Sequence, residues 1–232
     1  MLLTTGKHEP WAKEPENLWV FRVLGIEPEE GWNIELHGNV VFLTALGKEK
    51  IIPIPIYRAY ALSAWMNQAE DNPENGVSLV IEGPQGFLMQ RKDDKHPNPK
   101  CRERLCLFSG SLKFNEKPLD GILRELYEEI RDVKAADKIA ALMKYHGSLL
   151  LSSMQWNGTY TCHWFHTKTA QTVRFETWKQ SMLGNPGLGE SNPAFVTRSE
   201  LSELITEERC NPGKHFVSSH HEMLARALNP TS

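Results

Sequence analysis

A chain of 232 residues with 40% hydrophobic content is long enough for one large or two small domains with a real core. Its formal charge of −3, from 26 basic and 29 acidic residues, gives no electrostatic basis for wrapping nucleic acid or adhering to a membrane, so a small molecule is the expected partner. The opening MLLTTGKHEPWAKEPENLW is charged and proline-punctuated unlike a signal or transit peptide, and no run approaches the ~18 apolar residues of a membrane span, so a cytoplasmic location is expected.

Residues 1–16 read as a polar, loosely held arm. Residues 18–26, 32–46 and 50–56 are rich in Trp, Val, Phe and Ile and are separated by the turn-like PEEGW and LGKEK, which predicts strands. In IIPIPI, Pro53 and Pro55 lack amide donors and suit an edge strand. Residues 57–69 look helical, with Tyr60, Ala61, Ala64 and Trp65 on one face, and the Pro, Asn and Gly of residues 70–76 mark a boundary. Two domains are therefore expected, 1–75 as a small β-rich subdomain with a helix and 76–232 as the larger unit. The first carries no motif for chemistry. It is expected to pack, to form a homodimer, or to help cover a substrate.

Beyond the boundary, VSLVIEGPQGFLMQRKDD predicts a hairpin with strands at 77–81 and 87–91 around Gly83-Pro84-Gln85-Gly86. The following loop carries Lys95, Lys100, Arg102 and Arg104, which suit either a solvated surface or the neutralisation of a polyphosphate. Residues 105–108 read as a short buried strand leading into Ser109-Gly110.

From Pro118 the chain reads as a helix, because Leu119, Leu123, Leu126, Tyr127 and Ile130 recur at three-and-four spacing. Beside that stripe Glu125, Glu128, Glu129 and Asp132 follow the i, i+3, i+4, i+7 pattern and form an acidic face. Like charges so placed repel by about 0.2 to 0.5 kcal/mol per pair, and Arg124 relieves only part of this. Mg²⁺ or Mn²⁺, hard ions that prefer carboxylate oxygens, would relieve the rest; a solvated acidic face is the other reading. Gly121 costs about 1 kcal/mol relative to alanine inside a helix, which a close approach to the sheet or loop would explain.

Downstream, residues 136–145 predict another helix, and residues 147–152 and 159–167 predict strands joined at Asn157-Gly158, a strong hairpin signal. VRFETWKQS suits a helix and GNPGLGESNP a loop; residues 194–196 then suggest a strand, 197–204 a helix and 216–228 a closing helix. Cys101, Cys106, Cys162 and Cys210 lack paired CxxC spacing and are expected to be reduced thiols. His163, His166, His220 and His221 show no HExxH-type arrangement and are read as packing and surface groups.

The order of residues from Gly110 resembles the signature of the Nudix hydrolases, G-x5-E-x7-R-E-U-x-E-E-x-G-U, where U is bulky and apolar. Gly110, Glu116, Arg124, Glu125, Leu126, Glu128 and Glu129 match without a gap. The last two positions depart: Arg131 and Asp132 stand where the family has glycine and an apolar residue, so the exit from the helix is where a difference is expected. The hairpin ending in Arg91 and the 194–204 segment with Glu200-Leu201 agree with the family more weakly, and the resemblance covers about 77–228.

This resemblance implies an α/β chain, an α/β/α sandwich with a mixed sheet, preceded by the β-rich subdomain. It also implies metal-dependent hydrolysis, with Mg²⁺ or Mn²⁺, of a phosphoanhydride in a nucleoside diphosphate linked to another moiety. Glu125, Glu128 and Glu129 would be metal ligands, with Glu116 joining that site or supporting it, Glu129 or Glu128 activating water, and Arg124 orienting a glutamate. Arg91, Gly110 and Glu190 would lie on the substrate side, Glu176 being the other candidate for a late acid. The alternative is a catalytically silent nucleotide-binding or sensor module. Residues 146–157 carry neither the proline of ADP-ribose hydrolases nor the longer motif of NADH pyrophosphatases, and no coenzyme A signature lies upstream. Trp156, Tyr160 and Trp164 suit core packing or stacking on a base.

Overall fold

The computed structural model describes residues 2–4, 18–26, 33–45, 48–66, 70–145, 150–156, 160–184, 191–218 and 220–229. Strand β1 (Leu2–Thr4) lies within the segment expected to be a loose arm, and pairs with β2 (Asn33–His37). Residues 18–26, expected to be a strand, instead form helix α1 (Leu18–Leu24). The reason is periodicity: Trp19, Val20, Val23 and Leu24 are buried at i, i+1, i+4 and i+5, a helical stripe that β-rich composition conceals. Gly25, at φ +64°, ends the helix in a Schellman arrangement, with its N–H donating to the Arg22 carbonyl and that of Ile26 to the Phe21 carbonyl.

The run 32–46 is two strands, β2 and β3 (Val40–Ala45), turning at Gly38-Asn39, where Gly38 has φ +63°. Strand β4 (Lys48–Pro53) closes a four-stranded antiparallel sheet at its edge, where the missing amide of Pro53 is tolerated, and Pro55 lies just beyond it. Ile34, Leu36, Val41 and Leu43 of its inner face are buried with α1 and with α2 (Ile56–Met66).

The second sheet has seven strands. Strand β5 (Asp71–Glu82) begins at Asp71, so the stretch read as a boundary is its first half. Its hairpin partner β6 (Gly86–Lys92) follows the expected turn, with Gly83 N–H donating to the Gly86 carbonyl at 2.8 Å. The short β7 (Leu105–Cys106) pairs with β6, and β8 (Phe108–Lys113) with β5. Helices α3 (Pro118–Glu129) and α4 (Val133–Tyr145) come next. Strands β9 (Leu150–Trp156) and β10 (Tyr160–Lys168) form the expected antiparallel pair, whose turn lies outside the described residues. Helix α5 (Thr172–Leu183), strand β11 (Ser191–Thr197) and helices α6 (Arg198–Cys210) and α7 (His220–Leu228) complete the chain.

The sheet order β11-β6-β5-β10-β9 is mixed, β10 running parallel to β5. Residues 77–81 are all buried, Val77, Leu79 and Ile81 in one hydrophobic cluster and Val80 in the other, as suits a central strand covered on both faces. One face packs with α3, α4 and α5 in a hydrophobic cluster that also holds α1, α2 and the four-stranded sheet; the other carries α6 and α7. The chain is thus α/β, with helices on both sides of a mixed sheet and a smaller β-sheet ahead of it. Helix α6 starts at a capping box, Thr197 Oγ1 accepting from Glu200 N–H at 3.3 Å while the Glu200 carboxylate accepts from Thr197 N–H at 2.9 Å. All four cysteines are free thiols, and no helix among the described residues is long and apolar enough to cross a membrane.

At the end of β5, Glu82 is fully buried and accepts from His166 Nε2 at 2.6 Å, Lys168 Nζ at 2.8 Å and Arg198 Nη2. It ties β5, β10 and α6 together. Burial alone would raise its carboxyl, but those three partners outweigh burial and hold it at about 2. A folded-state value below the unfolded one gives stability that is whole above pH ~4.5 and is lost as pH falls toward ~2. The urea midpoint measured from pH 6 to 2 is therefore expected to drop across that window, and Glu82→Gln to flatten the drop; equal slopes in both proteins would show that Glu82 is not its source.

Candidate active site

The site is built where β8 turns into α3. Glu116 closes the turn: its backbone N–H donates to the Lys113 carbonyl at 3.0 Å, and its Oε2 accepts from Lys113 N–H at 2.8 Å. Pro118 starts the helix at a position where its missing N–H costs little. Two glycines explain themselves by proximity. A Cβ on Gly110 would lie 2.1 Å from the carboxyl carbon of Glu125, and one on Gly121 would lie 2.3 Å from Leu112 Cδ2 and 3.1 Å from Glu116 Oε2. Both let α3 sit directly against β8.

Arg124, only 3% exposed, is the hub. Its Nε and Nη2 donate to the two oxygens of Glu116 at 3.0 Å each, a bidentate fork. Nη1 donates to Glu125 at 2.7 Å and to Glu128 at 3.0 Å, and Nη2 also donates to the Ser111 carbonyl at 2.8 Å. Burial opposes its charge, but Glu116 and the charges of Glu125 and Glu128 outweigh that and raise its pKa above the ordinary arginine value.

One guanidinium cannot balance four carboxylates. Burial pushes the Glu125 carboxyl up to about 7, with the Glu128 charge adding to the rise and Arg124 opposing it. Burial also raises Glu128 against the pull of Arg124. Glu129 is raised well above the usual carboxylate range by burial and then by the Glu125 charge, and its Oε2 is buried with no hydrogen-bond partner. Glu125 and the Oε2 of Glu129 are thus shut away from water, whereas the side chain of Glu128 is 28% exposed.

Among the described residues no three His, Cys, Asp or Glu groups already converge as an ion cage, because Arg124 draws Glu116, Glu125 and Glu128 to itself. The donor set nonetheless fits a divalent ion: all are hard oxygens, they carry excess negative charge, and one buried oxygen is orphaned. Glu116, committed to Arg124 and Lys113, is the member least free to join.

The other sequence candidates are placed as follows. Asp132 leaves the acidic face of α3 altogether, since the helix stops at Glu129; it caps α4 by accepting from Lys134 N–H at 2.8 Å. Arg91 is exposed and donates to the Glu103 carbonyl at 2.7 Å. Its neighbour Lys92, on the opposite face of β6 by strand alternation, is the basic residue whose charge reaches Glu129 and Cys106. The alternation of Gln90 and Lys92 was the signal for it. Glu176 pairs with Lys179 at 3.0 Å, and Glu190 lies outside the described residues. Trp164 is core, Tyr160 is half-buried with its hydroxyl against Gly76, and the side chain of Trp156 lies outside the described residues.

No protein-family model and no curated protein matches the chain. Among solved structures, a hydrolase of the NUDIX family from Clostridium perfringens is 16% identical, with 69% of this chain and 99% of that one covered and a TM-score of 0.40. The likeness is to a Nudix hydrolase. An ADP compounds hydrolase is 9% identical over 87% of this chain and 88% of its own, with a TM-score of 0.39. A bifunctional NMN adenylyltransferase/ADP ribose pyrophosphatase from Francisella tularensis, complexed with AMP and a Mn ion, is 15% identical over 76% of this chain, which spans 48% of it, with a TM-score of 0.42. The chemistry of the site rests on residues 110–129 themselves.

Removing the hub should leave Glu116, Glu125 and Glu128 without their cation. Arg124→Ala is expected to cost about 3–5 kcal/mol in urea unfolding, and Arg124→Lys, which keeps the charge but not the fork, to cost less. An unchanged midpoint for both would show that the network adds nothing to the fold.

Proposed function

We propose that this chain is a Nudix-type pyrophosphohydrolase that uses Mg²⁺ or Mn²⁺ to cleave the phosphoanhydride of a nucleoside diphosphate linked to another moiety. The observation that carries the reading is the buried, unpartnered oxygen of Glu129 beside Glu125 and Glu128, in the register of the signature that the chain resembles. Glu125, Glu128 and Glu129 would hold the ion. When bound, it would offset charge on the anhydride oxygens and lower the pKa of a bound water.

The chain's own residues supply the rest. Glu129 or Glu128 takes the proton of the attacking water. Arg124 fixes the carboxylates in place, and Glu116 fixes Arg124. Gly110 leaves the space into which Glu125 fits. Lys92 contributes positive charge on the substrate side. The departure at Arg131-Asp132 would favour a silent sensor module if it misplaced the helix end, but α3 stops cleanly at Glu129.

The test is incubation with Mg²⁺ or Mn²⁺ and a panel of nucleotide sugars, dinucleotides, ADP-ribose and nucleoside triphosphates, with products followed by ³¹P NMR. Metal-dependent cleavage of one class is expected, and Glu129→Gln should lower kcat by about 10²- to 10⁴-fold with the fold intact by circular dichroism. Tight nucleotide binding without turnover across the panel would establish the sensor reading instead.

A further inference from the structure

The two positions that depart from the family signature fall at the end of the helix turn that carries Glu128 and Glu129. Without the helix-ending glycine, this end is made by other means. Ile130 takes an extended conformation, φ −91° and ψ 113°, its N–H still bonded to the Leu126 carbonyl. Asp132 then starts α4 and is gripped from α5 by the Ser181 hydroxyl. Arg22 of α1 donates to the carbonyl of Tyr127, one of the last-turn acceptors of α3 that no intrahelical donor serves. Burial and the like charge of Arg131 lower Arg22 to about 10, so it remains charged at neutral pH.

The other end of Tyr127 is also held. Its ring is fully buried, and its hydroxyl donates to Asp137 Oδ1 of α4 at 2.8 Å. Arg58 of α2 grips the same carboxylate through Nε at 2.8 Å and Nη2 at 2.5 Å, while its Nη1 donates to the Val23 carbonyl of α1 at 2.7 Å. Tyr127 immediately precedes Glu128 and Glu129. We infer that Arg22, Arg58, Asp137 and Tyr127 form a clamp by which helices α1 and α2 of the N-terminal part position Glu128 and Glu129, standing in for the helix-ending glycine.

This inference rests on the metal-site reading above. A largely buried Arg–Asp pair adds little net stability over apolar groups of the same size, so stability alone gives no account of it. What a bidentate pair sets is orientation, and partners that orient metal-holding carboxylates act on affinity and rate. Arg22, Arg58, Asp137 and Tyr127 are thus positioning residues, none touching substrate.

The experiment measures Mn²⁺ affinity by electron paramagnetic resonance, together with kcat, KM and urea stability, for Tyr127→Phe, Asp137→Asn, Arg58→Lys and Arg58→Ala. A core variant remote from α3, Ile205→Ala, serves as the comparison for lost stability. Tyr127→Phe and Asp137→Asn are expected to weaken Mn²⁺ binding or lower kcat about ten- to a hundredfold with KM little changed. Arg58→Lys should lose less than Arg58→Ala, and Ile205→Ala should lose stability with Mn²⁺ affinity intact. Clamp variants that lose stability yet keep Mn²⁺ affinity and kcat would overturn the clamp alone, and Tyr127→Phe, which keeps the buried ring, provides this outcome even if the charged variants fail to fold. Absence of Mn²⁺ binding in the unaltered protein would overturn the metal-site reading itself.

Discussion

A single guanidinium carries more of this structure than any other group. Arg124 meets Glu116 at the mouth of the β8–α3 turn, Glu125 and Glu128 along the helix, and a backbone carbonyl of the sheet, so strand, turn and helix are fastened at one planar fork. The fork settles geometry without settling charge. Three of its partners are carboxylates and a fourth acid stands beside them, so the excess is held in place and largely shut off from water. In water such an arrangement would simply repel itself apart; here the apolar stripe of α3, with Ile122, Leu123, Leu126 and Tyr127 fully buried, holds the acids where they are.

How far the sequence could be read follows from the range of the interactions involved. The box was legible because its seven residues act within one turn and one helix, so their spacing is their geometry. Gly121 was legible for the same reason, its cost in the helix pointing to the close packing that Leu112 and Glu116 supply. The β5–β6 and β9–β10 hairpins were visible from turn residues and apolar runs. Residues 18–24 were misread because their Trp, Val and Phe content suits strands while their burial follows a helical stripe. Arg91 was read onto the substrate side from its position at the end of the hairpin, and its neighbour Lys92, which strand alternation puts on the other face of β6, was not weighed.

Other features were beyond any local pattern. Glu82 gathers His166, Lys168 and Arg198 from up to 116 residues away, and Arg58 finds Asp137 across 79. Charged residues at such separations look like surface until the fold brings them together. The same holds for the packing of α1, the four-stranded sheet and α2, which carry no motif yet share one hydrophobic cluster with the helix that bears the acids.

Among the described residues, β10 and β5 are the one pair of full strands in the large sheet that run parallel, with His163 beside Val77 and Phe165 beside Leu79. Everything between those strands, including the whole acidic helix, lies inside the excursion that a parallel neighbour demands. Closing so long an excursion is a late and slow event, because its entropy is spent before the contacts return it. A nascent or partly unfolded chain therefore holds its acids on a segment not yet seated, and the carboxylate cluster around Arg124 is assembled with the sheet rather than before it.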